Sequence, residues 1–75
     1  MTPPLIEHWK VTKTRLVLST NDFSQWSLKL SSIDGFEFPD EPRDGPKTVV
    51  FFFGGHKRVF AIRREQWQKF YEELS

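Results

Sequence analysis

The stretch VVFFFGGHKRVFAI, residues 49–62, holds two apolar segments separated by a pair of glycines. Residues 49–53 are apolar without alternation, which is typical of a strand covered on both faces. A helix does not fit, because Gly54 and Gly55 would end it after about one turn. The glycine pair instead indicates a hairpin turn, since glycine accepts positive φ angles without steric cost. We therefore predict a second strand over residues 57–62.

An amphipathic helix is expected after this hairpin. Its apolar side chains recur at positions i, i+3, i+4 and i+7, which is the spacing of one helix face. These side chains are Trp67, Phe70, Tyr71 and Leu74. The pattern predicts a helix from about Arg64 to the end of the chain. In so short a chain this apolar stripe can be buried only against the sheet.

Strands are also predicted before the hairpin. Trp26, Leu28 and Leu30 alternate with polar residues, which is the pattern of a strand with one solvated face. Residues 9–19 are largely aromatic, β-branched or leucine, as strands prefer. Polar residues 12–14 interrupt this segment. The pattern is therefore compatible with one long strand and with two short strands joined by a bend.

Turn and loop signals divide the chain without splitting it into domains. Asn and Asp in residues 21–24 indicate a turn. Prolines make residues 1–7 a loose lead-in and residues 39–47 an exposed loop. We therefore predict a single α+β domain over residues 1–75. It would have a curved antiparallel sheet of four to five strands and one C-terminal amphipathic helix packed on it.

Composition narrows the class of protein. The chain has 75 residues, of which 28% are charged, and a net charge of +1. It contains no cysteine, which excludes disulfides and thiolate ligands and fits a reducing compartment. No apolar run approaches the roughly 20 residues that cross a bilayer, and no secretory signal pattern is present. These features predict a cytoplasmic protein without a transmembrane segment.

Catalytic and metal chemistry have few candidate residues. The only imidazoles are His8 and His56. A metal site needs three or four ligands, which two histidines on different elements do not supply. Neither histidine has a Ser or Asp partner at the spacing of a catalytic triad, and Gly54-Gly55 lacks the longer spacing of a phosphate-binding loop. We therefore expect no enzymatic activity, no cofactor and no metal.

Charge is unevenly distributed along the chain. Residues 47–64 carry five basic side chains and no acid, a charge of +5, whereas residues 33–44 carry five acids and one Arg, a charge of −4. A basic hairpin can bind phosphate groups, because Arg matches phosphate oxygens and counterion release favours binding. The alternative is a solvated surface. The low net charge favours this alternative, since most nucleic-acid-binding domains are more basic.

Three segments of the chain follow the pattern of a known fold. They are VTKTRLVL (residues 11–18), WSLKLSSI (residues 26–33) and FYEEL (residues 70–74). Their order resembles the pleckstrin-homology (PH) superfold, and more narrowly its bacterial PH-like and GLUE-type versions. The resemblance implies a ligand at strand edges or interstrand loops, here chiefly at Lys57, Arg58 and the 39–47 loop. Because that fold usually has seven strands before its helix, the resemblance also implies a truncated sheet that a homodimer would complete.

A second similarity concerns the predicted helix. Its beginning, REQW at residues 64–67 followed by Phe70, is similar to the helix start of single-stranded-DNA-binding coactivators related to positive cofactor four. Those proteins also place one helix after a small curved sheet. Arg64 stands where they carry Pro, and their Gly-Lys-rich turn before the last strand is absent here.

Together these patterns predict a non-enzymatic binding module that acts as an adaptor and docks to a partner protein. The alternative is a single-stranded nucleic-acid-binding or transcription-regulatory protein, in which Lys10 would join the basic side chains and aromatic rings would stack on bases. A further hypothesis is a homodimer promoted by the apolar central strand and the short sheet. The residues expected to bind are Lys57, Arg58, Arg63, Lys13, Arg15 and Trp9.

Overall fold

A computed structural model describes residues 3–40 and 43–75 of the chain. It contains six strands, one short 3-10 turn and one C-terminal helix. The elements are β1 (Leu5–Val11), β2 (Arg15–Thr20), β3 (Gln25–Lys29), the 3-10 turn (Leu30–Ser32), β4 (Gly35–Glu37), β5 (Lys47–Phe53), β6 (His56–Ile62) and α1 (Arg64–Leu74).

The strands form one mixed sheet in the order β3-β2-β1-β6-β5-β4. Each half is an antiparallel meander of three strands, and a short parallel pairing of β1 with β6 joins the halves. The predicted α+β class with one C-terminal helix is confirmed. The prediction of four to five strands, all antiparallel, was wrong: residues 3–40 and 43–75 form six strands, and one pairing is parallel. Strand β4 has only three residues, which is too short to show an alternating pattern.

The N-terminal segment is more ordered than the sequence suggests. Strand β1 begins at Leu5, so the prediction of a loose lead-in over residues 1–7 was wrong for its last three residues. Two hydrogen bonds hold the strand's beginning: the Ala61 N–H donates to the Pro4 carbonyl at 2.8 Å, and the Leu5 N–H donates to Asn21 Oδ1 at 3.1 Å. These partners are distant in sequence, which is why local patterns do not reveal the pairing.

The sheet curls so that its two halves face each other. Strands β3 and β6 are not neighbours in the sheet, yet the rings of Trp26 on β3 and Phe60 on β6 lie 5.4 Å apart, edge to face. Apolar side chains fill the space between the halves and beneath the helix. The fully buried ones are Ile6, Leu16, Leu18, Val49, Phe51, Phe60, Ile62 and Phe70.

Helix α1 closes one side of this core. Phe70 is fully buried and lies edge to face on the Phe51 ring, with centroids 6.3 Å apart. Trp67 and Leu74 are half-buried, and Tyr71 at the margin of the stripe is 46% exposed. The predicted apolar stripe therefore does pack on the sheet. No helix in residues 3–40 and 43–75 has the length and apolarity needed to cross a membrane.

The proline-containing segment before β5 has little regular structure where it is described. Residues 39–40 and 43–46 lie outside helices and strands, and most are exposed; Lys47 already belongs to β5. Residues 41 and 42, which the predicted loop includes, lie outside the described residues. The Arg64 Nε–H donates to the Gly45 carbonyl at 2.7 Å and fixes the loop's end to the start of α1.

Candidate binding site at the edge of strand β3

The six residues predicted to bind do not form one cluster. Trp9 is part of the structural framework: its ring lies edge to face on Phe70 at 5.2 Å, and its Nε1–H donates to Glu73 Oε2 at 3.3 Å. An aromatic residue on a strand looks the same in sequence whether it packs on a helix or faces a ligand. Trp9 is therefore not available as an open stacking platform.

Arg63 and Lys13 also lie apart from a common site. Arg63 forms an ion pair with Glu7 at 3.0 Å between Nη2 and Oε2, and both side chains are more than one third exposed. Such a pair contributes at most about 1 kcal/mol in solvent. Lys13 lies exposed in the turn between β1 and β2. Lys57 lies opposite Phe52 in the β5–β6 register, so its side chain is on the other face of β6 from Arg58.

Arg58 and Arg15, in contrast, both contact β3. The Arg58 guanidinium lies over the Trp26 ring, 5.4 Å from its centroid. Arg15 Nη1 donates to Ser27 Oγ at 3.1 Å. Because Trp26 and Ser27 point to opposite faces of the strand, the two cations flank β3 from both sides.

The register of the sheet shows which backbone groups of β3 are free. In an antiparallel pair, alternate residues exchange hydrogen bonds with the partner strand and the others point away from it. The Leu30 N–H donates to the Thr14 carbonyl and the Thr20 N–H to the Ser24 carbonyl, in the same register as the pairs Leu16–Leu28 and Leu18–Trp26. The backbone N–H and C=O groups that point away from β2 therefore belong to Gln25, Ser27 and Lys29.

We call these outward groups the β3 edge. Strand β3 ends the sheet, so no strand of the described chain covers them. An exposed strand edge is a template for pairing with another extended chain. The edge is five residues long, which is enough to accept a short partner strand.

A shallow groove lies beside the β3 edge. Its volume is about 220 Å³, and its lining combines apolar with basic side chains. Leu28 comes from β3, and the other residues come from the ends of β5 and β6. We call it the β3 groove, lined by Leu28, Phe53, His56 and Arg58.

The charge around the β3 edge is predominantly positive. Lys29 and Arg15 lie on the outer face, paired in register, and Arg58 lies on the inner face. Asp34 lies beside the β5–β6 turn, where its carboxylate already accepts a hydrogen bond from the Gly54 N–H. Asp22 lies in the turn before β3, and its carboxylate already accepts hydrogen bonds from the Thr20 hydroxyl and the Ser24 N–H. An incoming segment with acidic side chains would therefore meet cations on both faces of the strand.

Beneath Arg58, the indole N–H of Trp26 is buried and has no hydrogen-bond partner among the described residues. A buried donor without a partner costs about 1–3 kcal/mol. The ring that carries it contributes to the core through Phe60 and to the surface through Arg58. Trp26 therefore couples the core to the candidate site.

Within residues 3–40 and 43–75, no group of three or more His, Cys, Asp or Glu side chains is placed to hold a metal ion. His56 lies in the β3 groove, and His8 lies exposed on β1.

No protein-family model, no curated protein and no solved structure matches this chain.

Proposed function

We propose that the protein is a non-enzymatic binding module that docks to a partner protein by pairing an extended segment of that partner with the β3 edge. The observation that carries the proposal is the outward direction of the Gln25, Ser27 and Lys29 backbone groups on a terminal strand. Strand addition of this kind uses main-chain hydrogen bonds for affinity and neighbouring pockets for specificity. The β3 groove supplies such a pocket.

The chemistry around the edge favours an acidic partner segment with apolar residues. Arg15, Lys29 and Arg58 would attract carboxylates, while Leu28 and Phe53 would contact an apolar side chain. Charge-assisted contacts at an exposed site weaken when salt screens them. Affinity for the partner segment should therefore fall as ionic strength rises.

The resemblance to the PH superfold remains part of this proposal. Two features support it: a sheet in two meandering halves whose first and last strands are adjacent, and a terminal helix packed on that sheet. A cytoplasmic location also remains a proposal, supported by the absence of cysteine.

The test uses peptides selected from a random library against the wild-type chain, with binding measured by fluorescence anisotropy. Replacing Ser27 with Pro removes one outward N–H, whereas Ser27→Ala removes the same hydroxyl and keeps that N–H. If peptides add to the β3 edge, Ser27→Pro weakens binding about tenfold or more and Ser27→Ala leaves it within about twofold. Equal affinity of both variants for every selected peptide would contradict the proposal.

Single-stranded nucleic acid remains the alternative ligand. It requires aromatic rings open for stacking, whereas Trp9 packs on Phe70 and Trp26 lies beneath Arg58. A fluorescent single-stranded oligonucleotide titrated at about 50 mM salt separates the two functions, because phosphate binding is strongest at low salt. Oligonucleotide binding that Arg58→Ala and Arg15→Ala abolish would favour the alternative.

A further inference from the structure

Phe23 occupies an unusual position in the turn between β2 and β3. Its side chain is fully exposed, at 101% relative accessibility, and its φ angle is +65°. Bulky residues seldom adopt positive φ, because the side chain then crowds the backbone. A large apolar ring is thus held in solvent at a position where glycine or asparagine would be favoured.

Several hydrogen bonds hold the turn that carries this ring. The Asp22 carboxylate accepts hydrogen bonds from the Thr20 hydroxyl and from the Ser24 N–H. The Phe23 N–H donates to the Thr20 carbonyl at 3.2 Å, and Thr20 itself is buried. The backbone therefore presents the ring outward in a defined direction, which lowers the entropy cost of using it as an anchor.

An apolar groove lies beside the same turn. Its volume is about 490 Å³. The neighbouring Asn21 fixes the turn to one wall: its Oδ1 accepts the Leu5 N–H at 3.1 Å, and its N–H donates to the Leu5 carbonyl at 2.9 Å. The groove is lined by Pro3, Pro4, Leu5, Asn21, Asp22, Pro46 and Ala61. We call it the proline groove.

A projecting ring and an apolar groove on one surface are self-complementary. In a twofold dimer each copy presents the same surface to the other, so a ring from each copy can enter the groove of its partner. The Asp22 carboxylate beside Phe23 also lines the proline groove, where it already accepts hydrogen bonds from the Thr20 hydroxyl and the Ser24 N–H. Its negative charge would repel an anionic membrane surface or a nucleic-acid phosphate backbone.

We propose that two copies of this chain associate about a twofold axis, with Phe23 of each copy inserted into the proline groove of the other. The proposed dimer interface uses residues other than those of the β3 edge. Failure of the proposed peptide binding would therefore not contradict the dimer. The Ser27→Pro change should accordingly leave dimerisation unaltered.

The first experiment is sedimentation equilibrium over a range of protein concentrations. The wild-type chain should show a reversible monomer–dimer equilibrium, and Phe23→Gly should raise its dissociation constant about 100-fold or more, because two buried anchors are lost. Glycine suits the positive φ angle, so this variant should fold at least as stably as the wild type. Val59→Ser, at an exposed apolar site outside the groove, is the matched control and should leave the equilibrium unchanged.

The second experiment mixes complementary variants. Pro46→Asp places a charge in the proline groove and keeps Phe23, whereas Phe23→Gly keeps the groove. Their mixture retains one of the two ring insertions, so it should associate more tightly than either variant alone. A monomeric wild-type chain at all concentrations, a dimer that survives Phe23→Gly, or a mixture no tighter than its components would each overturn the proposal. Phe23-dependent binding of the monomer to phosphatidylserine vesicles would overturn it in favour of a membrane ligand.

Discussion

The two edge strands of the sheet, β4 and β3, differ in how easily another chain can pair with them. Strand β4 has only three residues, and Pro39 follows it closely. Short edge strands and prolines are devices that prevent pairing with other chains. Strand β3 has five residues and three sets of outward backbone groups, flanked by Arg15 and Arg58. The sheet therefore protects one edge and leaves the other suited to a partner strand.

Proline substitutions at neighbouring positions of β3 test which of its backbone groups face outward. Leu28→Pro removes an N–H that bonds to β2, so it should lower the free energy of unfolding by about 3 kcal/mol or more. Ser27→Pro removes an N–H on the free edge and should change stability by less than about 1 kcal/mol. Urea denaturation followed by circular dichroism measures both. Similar destabilisation by the two neighbouring prolines would mean that the assigned edge is wrong.

The protected end of the sheet depends on aromatic packing. The half-buried Phe36 on β4 contacts the rings of Phe38, Phe51 and Tyr71 at centroid distances of 6.0, 6.2 and 5.8 Å. Phe36→Ala should therefore cost about 2 kcal/mol, somewhat less than full burial would give. The same denaturation measurement applies. Because β4 lies at the far end of the sheet, peptide binding at the β3 edge should persist in this variant while it remains folded.

A smaller effect concerns the turn that leads into β3. The Thr20 hydroxyl, which donates to the Asp22 carboxylate, lowers the pKa of that group below its usual value, and the Ser24 N–H adds to the shift. The contribution of Asp22 to stability is therefore present above the ordinary Asp pKa and lost as pH falls through the lowered value.

Thr20→Val removes the main cause of this shift and should move the Asp22 pKa back toward its usual range. An NMR titration of the carboxyl carbon measures the change directly. The stability difference between the variant and the wild type should shrink below about pH 4, as Asp22 becomes protonated in both. An unchanged Asp22 pKa in Thr20→Val would show that the hydroxyl has little influence.

Much of the fold follows from local sequence patterns. The alternation at Trp26 and Leu28 predicts β3, the Gly54-Gly55 pair predicts the β5–β6 turn, and the apolar stripe predicts α1; the structure contains all three. Gly54 and Gly55 both have positive φ angles, as that turn requires. These features depend on residues that are close together in the sequence, which is why the sequence predicts them.

The candidate site depends on pairing between strands that are distant in sequence, so the sequence predicts it much less well than it predicts the fold. A strand pattern at residues 25–29 does not tell whether the strand is central or terminal, because that depends on which strands join it. Likewise, nothing local distinguishes Trp9, which packs on the helix, from the exposed Phe23. Of the residues predicted to bind, Arg15 and Arg58 flank the β3 edge, and Lys29 was not predicted.

Amide hydrogen exchange measured by NMR, with and without a selected peptide, tests whether a partner strand adds at the β3 edge. In the free protein the Gln25, Ser27 and Lys29 amides should exchange rapidly, whereas those of Trp26 and Leu28 should be protected by their bonds to β2. Peptide binding should then protect the Ser27 amide and at least one of its two outward neighbours. Protection of these amides in the free chain, or their continued rapid exchange in the complex, would contradict strand addition at the β3 edge.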